Sequence, residues 1–175
     1  ITFVIRTKNL CFKGKFIKMK IILLSVGKIN DAAYCNLINA YAKRLVHYIP
    51  FEMEIVPDIK NTKNLSEKDQ QIFEGNQLLK TLQPNDYVVL LDEKGKQFSS
   101  PEFARFIEKK GLMGLKRLIF VVGGPYGFSE EVYGRANEKV SLSKMTFTHE
   151  MVRLVFIEQL YRAMTILNNE PYHHE

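Results

Sequence analysis

Apolar residues recur along this chain in two rhythms, and the switches between them mark out strands and helices. Lys20–Val26 (KIILLSV) is a short, nearly all-apolar run closed by Gly27, the pattern of a strand buried on both faces. Asp31 can cap a helix whose apolar residues Ala33, Leu37, Ile38, Tyr41, Leu45 and Ile49 fall mostly at helical spacings, and Pro50 ends it. Phe51–Val56 (FEMEIV) alternates apolar and charged residues, which predicts a strand with one wet face near a sheet edge. After the polar connector Asn61–Asn64, Ser66 and Asp69 predict a capping box for a helix carrying Ile72, Phe73, Leu78, Leu79 and Leu82. Tyr87–Leu91 (YVVLL) reads as a buried third strand. Ser100-Pro101-Glu102 reads as a helix start with Pro at the first position, followed by Phe103, Phe106 and Ile107 on one face. Leu118–Val122 (LIFVV) predicts a fourth strand running into Gly123-Gly124-Pro125. Ser129 then caps a short helix, Lys139–Leu142 is a brief fifth strand, and a long helix runs from about His149 to about Leu167. This alternation predicts an α/β fold with a mostly parallel sheet flanked by helices.

Composition narrows the class. A chain of 175 residues fits one domain, able to bury roughly 70% of its unfolded surface without disulfides or metal. Cys11 and Cys35 form no CxxC or Cys/His cluster, which argues against a secreted disulfide scaffold and structural zinc and suits a reducing cytosol. The longest apolar runs are far too short to span a bilayer, so no membrane partner is expected. The net charge of +6 favours a polyanionic partner, although many basic proteins bind none. Residues 1–18 lack an initiator Met and the apolar core of a signal peptide. The expectation is a non-native or disordered leader before a single domain from Met19 to Glu175, with a basic RNA-touching arm as the other reading.

Ligands of open parallel sheets bind beyond the carboxyl ends of the strands, which singles out three segments. Leu91-Asp92-Glu93-Lys94-Gly95-Lys96 leaves the third strand there, and on local grounds it also suits a solvated turn closed by Gly95. Gly123-Gly124-Pro125-Tyr126-Gly127 follows the fourth strand, and its glycines allow backbone N–H groups close to a ligand. It matches neither a dinucleotide GxGxxG fingerprint nor a P-loop, and a plain strand-to-helix turn is an equal reading. Ser141 to Glu150 mixes small hydroxyls with Met145 and Phe147. Thr148 can cap the last helix and place His149 in its first turn, where the helix dipole favours the neutral imidazole. Arg153 and the Glu158/Arg162 pair read by default as surface charges. The closing Pro171-Tyr172-His173-His174-Glu175 is either a frayed tail or a base-stacking one.

Four stretches, MKIILLSVGK, LIFVVGGPYG, SLSKMTFTHEMVRLVFIEQLYRA and PYHHE, together resemble the RlmH family, the ribosomal large-subunit pseudouridine N3-methyltransferases of the SPOUT superfamily. The resemblance runs from Met19 to Glu175. It implies a C-terminal deep trefoil knot, a homodimer with sites near the subunit interface, and a ribosomal RNA substrate, in the large subunit or the 70S ribosome, in the cytoplasm. It also implies S-adenosyl-L-methionine as cofactor and no metal. The bent cofactor would lie against Leu91, Gly124 and the run Ser143, Lys144, Met145, Thr146, Phe147 and Thr148. Thr148 stands where the family often has Pro.

The implied reaction is an in-line displacement in which base N3 attacks a sulfonium methyl. Alignment and exclusion of water are the main tasks, and His149 or His173 is the candidate proton acceptor. Arg153 and Arg162 are candidate phosphate or substrate holders, with Tyr172 and His173 on the substrate side. The rival readings are a SPOUT enzyme acting on another RNA position and a non-catalytic ribosome-binding factor. A flavodoxin-like carrier would need a phosphate loop after the first strand, and Ser25-Val26-Gly27-Lys28 is too meagre for one.

Overall fold

The computed structural model describes residues 11–12, 15–16, 19–58 and 65–172. Cys11–Phe12 (β1) and Lys15–Phe16 (β2) form a small antiparallel pair. The connector expected at Asn61–Asn64, and His173, lie outside the described residues.

The domain is built on a five-stranded sheet: Lys20–Val26 (β3), Phe51–Val56 (β4), Tyr87–Gln97 (β5), Arg117–Val122 (β6) and Glu138–Ser141 (β7). The strands lie in the order β4-β3-β6-β5-β7, and every pairing is parallel. The helices are Ala32–Leu45 (α1), Glu67–Thr81 (α2), Ser100–Leu112 (α3), Glu130–Arg135 (α4) and His149–Leu167 (α5). Because strand side chains alternate, Ile21, Leu23, Val89, Leu118 and Phe120 face α1, α3 and α5, while Ile22, Leu24, Val88, Ile119 and Val121 face α2 and α4. Both faces are covered, which is why the central strands are nearly all apolar. Phe51–Val56 is the edge strand its alternation predicts.

Several boundaries differ from the expected ones for physical reasons. Helix α1 stops at Leu45, and Val46 onward turns, because the residue before Pro50 is sterically barred from helix. The cap of α3 is Ser99, whose capping box with Glu102 leaves Pro101 in the first turn. Ser129 stands at the N-cap of α4 without a side-chain hydrogen bond to it.

The largest difference is in β5. The polar run after Leu91 does not end the strand: Leu91 and Lys96 both pair with Val140 of β7, so residues 92–95 bulge out between them. Gly95 makes this possible, since a Cβ there would lie 2.5 Å from the Val140 carbonyl carbon, and backbone cannot yield. The bulge carries Asp92, Glu93 and Lys94 out over the carboxyl edge of the sheet.

Candidate functional site

Beyond the ends of β5, β6 and β7 lies a cavity of about 820 Å³. The β5 bulge forms one wall, with Leu91 at its root and Asp92–Lys94 at its lip. The glycine loop from Gly123 to Gly127 forms another, and Ser141–Ser143 with Met145–His149 closes the third side.

Each wall is held by local bonds that its sequence supplies. The amide of Lys94 donates to Asp92 Oδ1 at 2.7 Å, turning the bulge. Tyr133 of α4 donates its hydroxyl to Asp92 Oδ2 at 2.6 Å. In the glycine loop, the Gly127 amide donates to the Gly124 carbonyl at 3.1 Å with Gly127 at a φ of 78°, a conformation suited to glycine. Gln71 of α2 donates its side-chain amide to the Tyr126 carbonyl at 2.9 Å. Ser141 donates its hydroxyl to the Ser143 carbonyl at 2.8 Å, and Ser143 Oγ accepts from the Met145 amide at 2.9 Å. Thr148 caps α5 by accepting from the Met151 amide at 3.3 Å. Glu150 accepts the Asn30 amide at 3.0 Å and ties the start of α5 to the loop after β3.

The lining has a consistent chemistry. It presents Leu91, Val122, Leu142, Met145 and Phe147 as apolar surface, together with loop backbone. Its charged side chains are Asp92, Glu93 and Glu130 against Lys94 alone. Met145 is 74% exposed and Phe147 40%, so the cavity carries apolar surface that only a ligand or partner would cover. A pocket of this size, apolar with a few acceptors and a negative balance, suits a flat heteroaromatic ligand bearing positive charge.

A second, smaller cavity of about 230 Å³ adjoins the first along the same sheet edge, over β4, β3 and β6. Gly124, Pro125 and His149 line both cavities. The rest of the small one is Val26, Asp58, Gln70 and Glu74. Gln70 donates to Glu74 Oε1 at 2.9 Å, while Glu74 Oε2 has no hydrogen-bond partner among the described residues. Glu74 is only 5% exposed. Burial pushes its carboxyl above the usual range. The Gln70 hydrogen bond opposes that shift, the Asp58 charge adds to it, and His149 pulls it back.

The sign of the linkage follows from that direction. An acid raised in the fold keeps its proton to higher pH than in the unfolded chain. Its contribution to stability is therefore whole below the ordinary carboxylate range and declines as pH climbs through it. Glu74→Gln is expected to remove that decline, so its melting temperature gains on the parent's as pH rises from the ordinary carboxylate range towards neutrality. Thermal melts across that range test this; a constant difference would mean that Glu74 does not titrate in the window.

Of the residues singled out from sequence, Leu91, Gly124, Ser143, Met145, Thr146, Phe147, Thr148 and His149 all line the large cavity. Lys144 is exposed and does not. Arg153 is a correction to both expectations for it. It is neither a surface charge nor open to a phosphate: it is fully buried, with Nη2 donating to the Val26 carbonyl at the end of β3. Arg162 and Tyr172 lie elsewhere, in a cluster on α1 and α5. There Arg162 pairs with Glu158 at 2.6 Å and sits 4.8 Å from the Tyr172 ring centroid, and Tyr172 donates to Glu158 at 3.2 Å. Within one chain they line neither cavity.

Sequence reasoning missed the part played by α2, which brings Gln70, Gln71 and Glu74. A signal was present in Gly75, a glycine inside a helical pattern at a cost near 1 kcal/mol. A Cβ at Gly75 would sit 2.4 Å from Ser129 Oγ, so the glycine marks the close approach of α2 to the start of α4.

Comparison with known proteins is consistent along nearly the whole length. A family described as "Predicted SPOUT methyltransferase" matches residues 19–173. A protein of Parabacteroides distasonis named "Ribosomal RNA large subunit methyltransferase H" is 65% identical over 157 residues, which cover 90% of this chain and 100% of that protein. Proteins of the same name from Christiangramia forsetii and Phocaeicola vulgatus are 62% and 58% identical, covering 89% and 90% of this chain and 99% and 100% of theirs.

Proposed function

Because the chain belongs to the SPOUT methyltransferases, and within them to the ribosomal RNA large subunit methyltransferase H family, we propose that it methylates N3 of a pseudouridine in large-subunit ribosomal RNA with S-adenosyl-L-methionine as donor. One observation carries the reading. Three stretches far apart in sequence, at Leu91, at Gly124 and at Ser143–His149, converge on a single cavity at the carboxyl edge of the sheet.

The lining fits that cofactor. Leu91, Val122 and Leu142 offer apolar contact to an adenine, and backbone at Gly123, Gly124 and Ser143 offers hydrogen bonds to its edge. When bound, the cofactor supplies an electrophilic methyl on a sulfonium. The carboxylates of Asp92, Glu93 and Glu130 would favour that cation. The residues' main task is alignment: loops pinned by Gln71, Tyr133 and Thr148 hold the two reactants in line and exclude water. His149, shared by both cavities, takes the N3 proton as the bond forms.

The same reading extends to a homodimer, in which Arg162 and Tyr172, remote from the cavity of their own chain, meet RNA near the interface. It extends to a C-terminal trefoil knot. Strand β7 lies outside β5 at the sheet edge, and α5 then returns to pack against α1 and α3. The net charge of +6 favours a polyanion, and activity on ribosomes puts the protein in the cytoplasm.

Two measurements test the proposal. Calorimetry with S-adenosyl-L-methionine should show one site per chain, which a ribosome-binding factor that kept only the fold would lack. Mass spectrometry of ribosomal RNA from cells with and without the gene should show one methyl lost from a large-subunit pseudouridine. A methyl lost from a ribose or from transfer RNA would refute the assignment.

A further inference from the structure

We infer that the smaller cavity is the pocket for the flipped-out base, and that Glu74 receives the ring N–H that distinguishes pseudouridine from uridine. The inference rests on the methyl-transfer reading above and adds to it the residue that selects the substrate.

Position is the first argument. The two cavities stand side by side along one sheet edge and share Gly124, Pro125 and His149. A cofactor in the larger cavity and a proton acceptor at His149 require the reacting base to stand where the cavities meet. The smaller cavity, at about 230 Å³, has room for a single-ring base. Enzymes that modify bases take them out of the stack into such pockets and read their edges by hydrogen bonds.

Charge is the second. The lining of the small cavity has two carboxylates, Asp58 and Glu74, and the amide of Gln70, with no Lys or Arg. Such a surface repels a phosphate or a carboxylate-bearing tail and accepts a neutral ligand rich in N–H donors. A pyrimidine edge is one.

The third is an acceptor left over. Glu74 is 95% buried, yet Oε2 has no partner among the described residues. The fold presses this oxygen against Gly124, where a Cβ would stand 2.0 Å from it, so it lies beside a residue that lines both cavities, while Glu74 itself lines the smaller one. A buried acceptor without a donor costs stability, and a ligand that donates to it recovers that cost.

Base chemistry identifies the donor. Pseudouridine is joined to its ribose through carbon, so its ring keeps N–H groups at both N1 and N3. When N3 gives its proton to His149 and faces the methyl donor, N1–H remains, on the far side of the C2 carbonyl from N3. Uridine has no hydrogen on N1, because that nitrogen carries the ribose. A site built to receive a donor rejects an analogue that lacks it, here by roughly ten- to a hundredfold.

The test uses ribosomes lacking the methyl group, prepared with either pseudouridine or uridine at the target position. The ratio of kcat/KM for the two is measured for the parent, Glu74→Met and Glu74→Gln, with melting temperature and cofactor affinity alongside. The parent should prefer pseudouridine at least tenfold. Glu74→Met, which keeps the bulk and loses the acceptor, should bring the ratio near one by slowing only the pseudouridine reaction. Glu74→Gln retains an acceptor oxygen and should restore part of the preference. Equal loss on both substrates would overturn the inference by making Glu74 structural. Weakened cofactor binding with the ratio intact would overturn it by assigning the cavity to the cofactor's ammonium. A parent with no preference would overturn it while leaving methyl transfer standing, whereas methylation of neither substrate would bring down the function itself.

Discussion

Replacing His149 with Ala is expected to lower the turnover number by about two or more orders of magnitude while cofactor affinity stays within a few-fold of the parent's. The asymmetry comes from how the site is built. The larger cavity is walled by loop backbone and apolar side chains from three segments, and His149 is one contributor among many. The same imidazole also lines the adjoining cavity, so it stands where the two cavities meet. Thr148 fixes the start of α5, and Glu150 ties that turn to the loop after β3, which fixes the backbone at His149 without involving its imidazole. Loss of the proton acceptor therefore affects the chemical step far more than binding. Single-turnover rates with calorimetry on the same variant decide the matter. Near-normal turnover with intact cofactor binding would take the proton-acceptor role away from His149 and leave alignment as the whole of catalysis.

Phe156→Ala is expected to cost about 3–5 kcal/mol, a large share of the stability of a domain this size. Phe156 is fully buried on α5, its ring centroid 4.6 Å from that of Phe120 on β6 and 6.3 Å from that of Phe103 on α3. It thus joins the helix that carries His149 at its start to the central strand that leads into the glycine loop. Removing the ring leaves a void that three separate elements would have to collapse to fill. At roughly 2–4 °C per kcal/mol, the melting temperature should fall by about 10 °C. A fall of only about 2–3 °C would mean that the core closes around the gap and that α5 is not anchored there.

Much of the fold was legible because burial leaves a periodic trace. The strands at Lys20–Val26 and Phe51–Val56 stand where their patterns put them, and Phe51–Val56 is at the edge, as its alternation requires. The long last helix runs from His149 to Leu167 as expected, since Thr148 is a strong local start signal. The rule that parallel sheets bind ligands at their carboxyl ends picked out three segments, and all three line one cavity.

Other features left no local trace. The run after Leu91 has the composition of a turn, and its continuation as a bulged strand depends on β7 pairing with both of its ends. Arg153 looks like any charge on a helix. Its burial follows from how α5 crosses the end of β3, where the Val26 carbonyl waits for a donor. Glu74 reads as one more polar residue in α2 until Gly124, arriving from the other side, leaves space for its carboxylate.

Local sequence alone determined where most strands and helices lie and which face of each is apolar, because hydrogen-bond geometry and burial act over a few neighbouring positions. Tertiary structure decided which carboxylate oxygen is buried without a partner among the described residues, which arginine is sealed from solvent, and that two cavities share one histidine. Those properties depend on groups brought together from distant parts of the chain, and no spacing along a single element encodes them.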